Sequence, residues 1–264
     1  MTYEDIVVEK FSEALEITLN RPEKLNAIRE QTAAEIMHAM EEVEMDRSIV
    51  AVILQGSEKA FCTGTDTSGF QYSPGSLFDV YRARRRTRKT GMMQRFVLGY
   101  TKPIITAIEG YALGGGLELA MIGDIIVCGE DAKLGLPEAR IGIMPGAGGT
   151  QTLTRLVGKP LAKEMMWTGR RLSAAEAKEF RLVNHVTPKG QALAKAREII
   201  TEIGKSAPLS VMMIKQAVDR GVDMSLADGI ATEGDISYLL TFAEDREEGL
   251  KAFREKRTPK FRGQ

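Results

Sequence analysis

Strand-like and helix-like apolar patterns alternate along the chain to about residue 188; beyond it only the helical pattern remains. "DIVVEKFSEALEITLN" predicts two short strands around a turn, ended by Pro22. Over residues 29–46, Ala33, Ile36, Met37, Met40 and Val43 recur at the i, i+3, i+4, i+7 spacing of a helix with one buried face. "VAVILQG" is a continuous apolar run, as expected of a strand covered on both sides, and "PIITAIEG" and "DIIVCGE" read the same way. Helices alternating with such strands predict a layered α/β domain. Pro208 suits a helix start and Gly221 a helix stop, so the tail from about Gly190 reads as a helical appendage. The expected division is therefore 1–190 and 191–264.

Composition narrows the class. The 264 residues can bury a large core. Lys plus Arg total 36 and Asp plus Glu total 36, so net charge does not point to a nucleic-acid or membrane partner. Cys62 and Cys128 are the only cysteines, which argues against a disulfide framework and fits a reducing compartment. "MTYEDIVVEK" has no basic-then-apolar leader, and no uncharged apolar stretch reaches membrane-spanning length. A soluble, cytoplasmic protein is expected. One local exception is the basic run of Arg82, Arg84, Arg85, Arg86, Arg88, Lys89 and Arg95. It reads as a solvated helix face; the rival is an RNA- or membrane-binding surface, which the scarcity of interleaved aromatics disfavours.

The chemistry starts at "GYALGGGLELAMIGD", residues 110–124. Between Ile104 and Cys128 the charged residues are Glu109, Glu118 and Asp124, with no base among them. A carboxylate taken out of water without a cation is costly unless it is hydrogen-bonded, protonated or used. Glycines ahead of a helix bare backbone N–H donors; the plainer reading is a tight strand-to-helix turn. A second carboxylate has matching surroundings in "KLGLPEARIGIMPGAGGTQ", with Glu138 ahead of the glycine-rich turn 146–149. Each acid alone is most simply structural, but together they can work as an acid/base pair on one water. No GxxxxGK[ST] or GxGxxG loop occurs, and His38 and His185 belong to no cluster with metal-ligand spacing.

Five segments in order, "LNRPEKLNAI", "KAFCTGTD", "KPIITAIEGYALGGGLELAMIGDIIV", "LGLPEARIGIMPGAGGTQTLTRLVG" and "EGLKAFREKRTPKF", resemble the crotonase family, and within it the enoyl-CoA hydratases. The resemblance implies an α/β spiral of ββα units over 1–190 holding an acyl-CoA site. Residues 191–264 would then be a helical region that packs trimers, doubled in many relatives to hexamers. It implies hydration of the 2,3-double bond of an enoyl-CoA by Glu118 and Glu138, a reaction of fatty-acid metabolism. The backbone N–H groups of Thr65 and Gly115 would form the oxyanion hole, and Gly146 would support the second acid. Leu25, Ala27 and Lys256 would contact coenzyme A, which belongs to the substrate. Neither metal nor separate cofactor is implied, nor a nucleic-acid or membrane partner.

Departures mark the specific questions. Most relatives have Ala or Gly where this chain has Thr65, and Ala where it has Thr63. The stretch from Thr67 to Thr101 is longer than in a compact hydratase, so a cyclic or otherwise unusual acyl group stays open. An enoyl-CoA isomerase, and a thioester hydrolase or decarboxylase on the same fold, are the enzyme alternatives; an RNA-binding protein is the non-enzyme one.

Overall fold

A computed structural model describes residues 2–69, 76–79, 93 and 96–264. The whole basic run from Arg82 to Arg95 lies outside the described residues, as does much of the long segment 67–101.

Strands β1 (Ile6–Phe11) and β2 (Ala14–Leu19) form the expected hairpin, followed by a 3-10 turn at Pro22–Lys24 and helix α1 (Glu30–Glu44). From there the chain winds through two sheets. β3 (Ala51–Gln55), β5 (Ile104–Ile108), β7 (Ile125–Gly129) and β10 (His185–Thr187) extend the hairpin into a six-stranded sheet of order β1-β2-β3-β5-β7-β10. All its pairings beyond β1–β2 are parallel. β4 (Ala60–Cys62), β6 (Tyr111–Leu113), β8 (Lys133–Gly135) and β9 (Arg171–Ser173) form a second sheet in that order, with β9 antiparallel. Each turn thus contributes one strand to each sheet, which is the α/β spiral the resemblance implied.

Five helices follow the glycine-rich segments and the last strands of the spiral: α2 (Gly115–Ala120), α3 (Gly149–Val157), α4 (Lys159–Thr168), α5 (Ala174–Glu179) and α6 (Ala192–Ile203). Three more close the chain: α7 (Pro208–Gly221), α8 (Leu226–Leu239) and α9 (Glu244–Glu255). Ser173 and Glu176 cap α5 reciprocally, Glu176 N donating to Ser173 Oγ and Ser173 N to Glu176 Oε2.

The central strands alternate faces in a way that explains their unbroken apolar runs. Val52, Leu54, Ile104 and Ile108 join the large core shared with α1 and the second sheet. Ala51, Ile53, Ile105, Ala107 and Val127 face the other way, onto Ala192, Ala196 and Ile200 of α6. The first helix after residue 190 is therefore a layer of the main sheet. α7 and α8 by contrast contain no buried residue, and Leu226, Ile230, Leu239 and Phe242 are exposed. Among the described residues no helix is long and apolar enough to cross a membrane.

Candidate active site

Glu118 lies in α2, one strand-and-turn beyond β5, and its side chain is only 5 % exposed. Its partners come from 29 and 31 residues downstream. The backbone N–H groups of Ala147 and Gly149 donate to Glu118 Oε1 at 2.8 and 2.7 Å. Gly149 opens α3, so the carboxylate also meets the positive end of that helix. The contact needs glycine: a Cβ at 149 would stand 2.8 Å from Oε1 and 2.9 Å from Cγ of Glu118. Burial raises the Glu118 pKa, and the N–H groups of Gly149, Ala147 and Gly146 pull against that rise.

Here the structure corrects the sequence. The resemblance gave Gly146 to the second acid, whereas the 146–149 turn serves Glu118. The sequence proximity of Gly146 to Glu138 is overridden because the chain folds α3 back against α2.

Glu138 begins a 3-10 turn, Glu138–Ile141, directly after β8 and Pro137, and is 8 % exposed. Its Oε2 is buried and has no hydrogen-bond partner among the described residues. Burial first, and then the nearby Glu118 charge, push its carboxyl up to about 7. The glycine triple meets it, since a Cβ on Gly114 would lie 3.3 Å from Glu138 Oε1. Glu138 thus reaches the turn from which α2, the helix carrying Glu118, begins.

Thr65 and Gly115 face each other across that turn. Thr65 bridges Ile28 in a short parallel ladder in which Ile28 N donates to Gly64 O and Asp66 N donates to Ile28 O. Those bonds point Thr65's own N–H away from the ladder. Gly115, as first residue of α2, has no intrahelical acceptor for its N–H. A Cβ on Gly115 would lie 3.3 Å from Thr65 N, so the missing side chain leaves a small recess between the two.

The loop that holds Leu25 and Ala27 lies beside Thr65. Thr63 donates from both N and Oγ1 to Leu25 O, and Arg21 Nη1 donates to Ala27 O. Arg21 also pairs with Asp66 at 2.9 Å, tying the two loops together. Leu25 and Asn26 both adopt positive φ, and Asn26 is held by Ala60 O and Arg21 N. The sequence reading singled out neither Arg21 nor Asn26, and gave Ala147 and Gly149 only as part of the glycine-rich turn 146–149. Lys256 ends α9, a helix that packs chiefly on the 240–242 turn of the tail rather than on the elements carrying the glutamates.

A cavity of about 800 Å³ opens at Glu118, between α2, α3 and α7, with walls that include Met121, Ile122, Leu156, Ile214 and Val218. Glu118 alone of the sequence-predicted site residues lines it. Among the described residues no cluster of three or more His, Cys, Asp or Glu could hold a metal ion. Burial pushes the thiols of Cys62 and Cys128 up to about 12, which leaves both as packing groups.

Known proteins resemble the chain over nearly its whole length. The sequence profile described as enoyl-CoA hydratase/isomerase matches residues 9–264. The chain is 39 % identical over 261 residues, 99 % of each chain, to a Mycobacterium bovis protein named "Probable enoyl-CoA hydratase". It is 36 % identical over 259 residues, 98 % of this chain and 99 % of the other, to the 2,3-dehydroadipyl-CoA hydratase of Escherichia coli. The crystal structure of an enoyl-CoA hydratase from Bacillus anthracis superposes with a TM-score of 0.91 at 36 % identity, over 99 % of this chain and 100 % of that one.

Proposed function

Because the chain belongs to the enoyl-CoA hydratase/isomerase family, we propose that it adds water across the 2,3-double bond of an enoyl-CoA. The observation that carries this reading is the pair of neighbouring buried carboxyls, one held by two backbone N–H donors and the other with an unpartnered oxygen. Glu118, anchored through Oε1 by two N–H donors, is the base; Glu138, pushed up to about 7, is the acid. The water oxygen bonds to C3 while its proton passes to Glu118, and Glu138 delivers its proton to C2. Transfer of one proton from Glu118 back to Glu138 resets the pair.

Electron density shifts onto the thioester oxygen as C3 is attacked. The N–H groups of Thr65 and Gly115, on either side of the recess, stabilise it; removing one such donor typically costs about 10²–10³ in rate. No metal is required for any of these steps. Leu25 and Ala27, on the loop tied to Thr65 through Arg21 and Asp66, contact the coenzyme, and Lys256 supplies a cation for its phosphates. The apolar cavity at Glu118 offers room for the acyl group.

The exposed apolar residues of α7 and α8 form the surface that would close a trimer, or two trimers stacked as a hexamer. Light scattering tests this, and a monomer at micromolar concentration would refute it. The activity itself is tested with straight-chain, branched and cyclic enoyl-CoAs, following loss of the conjugated-thioester absorbance. Double-bond migration without water uptake would establish an isomerase instead.

A further inference from the structure

We propose that the side-chain hydroxyl of Thr65 is a third hydrogen-bond donor to the thioester oxygen, joining the two backbone N–H groups. The proposal rests on the reading above and deepens it. The point where a Gly115 Cβ would sit lies 2.9 Å from Thr65 Oγ1 and 3.3 Å from Thr65 N. Thr65 Oγ1 and Thr65 N therefore lie on the same side of the turn, both facing the space that the missing Gly115 side chain leaves. The same point is 3.5 Å from Ile28 Cδ1, so one wall of the recess is apolar.

The hydroxyl is free to serve. Thr65 is exposed, and no described residue accepts a hydrogen bond from its side chain. Thr65 also sits in a β-bridge, where a β-branched side chain is stiff at χ1, so Oγ1 keeps its place while its O–H stays able to turn toward an acceptor. A group fixed in advance costs no reorganisation when the oxyanion forms. Ala or Gly at this position could supply the backbone N–H alone.

The test uses the full-length protein and two variants. Thr65→Val keeps the shape and removes the hydroxyl; Thr65→Ser keeps the hydroxyl and removes the methyl. The Val variant should lose about 10- to 10²-fold in kcat with KM moved by no more than roughly twofold, since the lost contact strengthens only as charge develops. The Ser variant should stay within about threefold of wild type. A second readout does not depend on turnover: the pH at which bound acetoacetyl-CoA becomes its enolate, read by absorbance. Thr65→Val should raise that pH by about one unit per tenfold loss of rate. Val equal to wild type in both readouts overturns the proposal, and so does Ser falling as far as Val, which would make the methyl the active feature. If wild type hydrates no enoyl-CoA and Val still shifts the enolate, the hydratase reading fails and the hydroxyl role stands. If wild type stabilises no enolate either, both fall.

Discussion

Glu118 and Glu138 occupy neighbouring ground and are treated differently by the fold. Around Glu118 the chain supplies backbone donors to Oε1, Ala147 and Gly149 at 2.8 and 2.7 Å, with a helix N-terminus behind them. Around Glu138 it supplies burial without compensation, leaving Oε2 without a partner among the described residues. In the first region backbone donors oppose the rise that burial causes, and in the second burial and the Glu118 charge push the carboxyl up to about 7. Two identical side chains thereby meet different surroundings, which is what the proposed division of base and acid rests on.

The sharpest way to break this contrast is to remove proton exchange at each acid. Glu118→Gln and Glu138→Gln should each lower hydration by about 10²–10⁴. The double variant should lose far less than the product of the two, because the groups act as a unit. Steady-state rates on one good enoyl-CoA decide it. If Glu138→Gln is inactive while Glu118→Gln keeps its activity in double-bond migration, the pair is an isomerase site with one working acid.

A smaller effect is expected from disturbing only the donors of the first region. Gly149→Ala puts a Cβ 2.8 Å from Glu118 Oε1 and 3.0 Å from Leu136 Cδ1, so the carboxylate must move. A displacement near 1 Å at a reacting group can cost about 10² in rate. Unchanged kcat in this variant would show that the turn does not set the position of Glu118.

The contrast also has a pH signature. With Glu118 as the proposed base and Glu138 as the proposed acid, kcat/KM should fall as pH rises through about 7, and fall again on the acid side as Glu118 takes up a proton. Stability carries the same sign for Glu138. Its folded carboxyl binds a proton more tightly than the ordinary 4.5, so between 4.5 and about 7 the native state holds more protons than the unfolded one and stability declines with rising pH. Glu138→Gln should therefore gain stability over wild type between about pH 5 and pH 8, as read by denaturant midpoints. A constant difference across that range would contradict the uncompensated burial.

The smallest effect belongs far from both acids. Lys256→Ala should raise KM for an acyl-CoA roughly two- to fivefold at low salt with kcat unchanged, as an exposed cation on a phosphate warrants. A fall in kcat at fixed KM would give Lys256 a different role.

The sequence by itself determined a good deal. The apolar runs at 51–55, 104–108 and 125–129 announced strands covered on both faces, and of the α1 stripe Ala33, Ile36, Met40 and Val43 are buried while Met37 is half-buried. Both periods are local, so any stretch of ten residues carries them. The glycine triple beside one acid and the paired glycines after the other marked where to look. Tertiary structure decided the rest. It gave the 146–149 turn to Glu118 instead of Glu138, and made α6 a layer of the main sheet while α7 and α8 keep apolar side chains exposed. It also brought Thr65 Oγ1 to the recess at Gly115 and joined Arg21 to Asp66, 45 residues apart. Such pairings depend on which loops the spiral stacks on one another. No local pattern records that, because a hydrogen bond between distant residues leaves no periodicity in the chain between them.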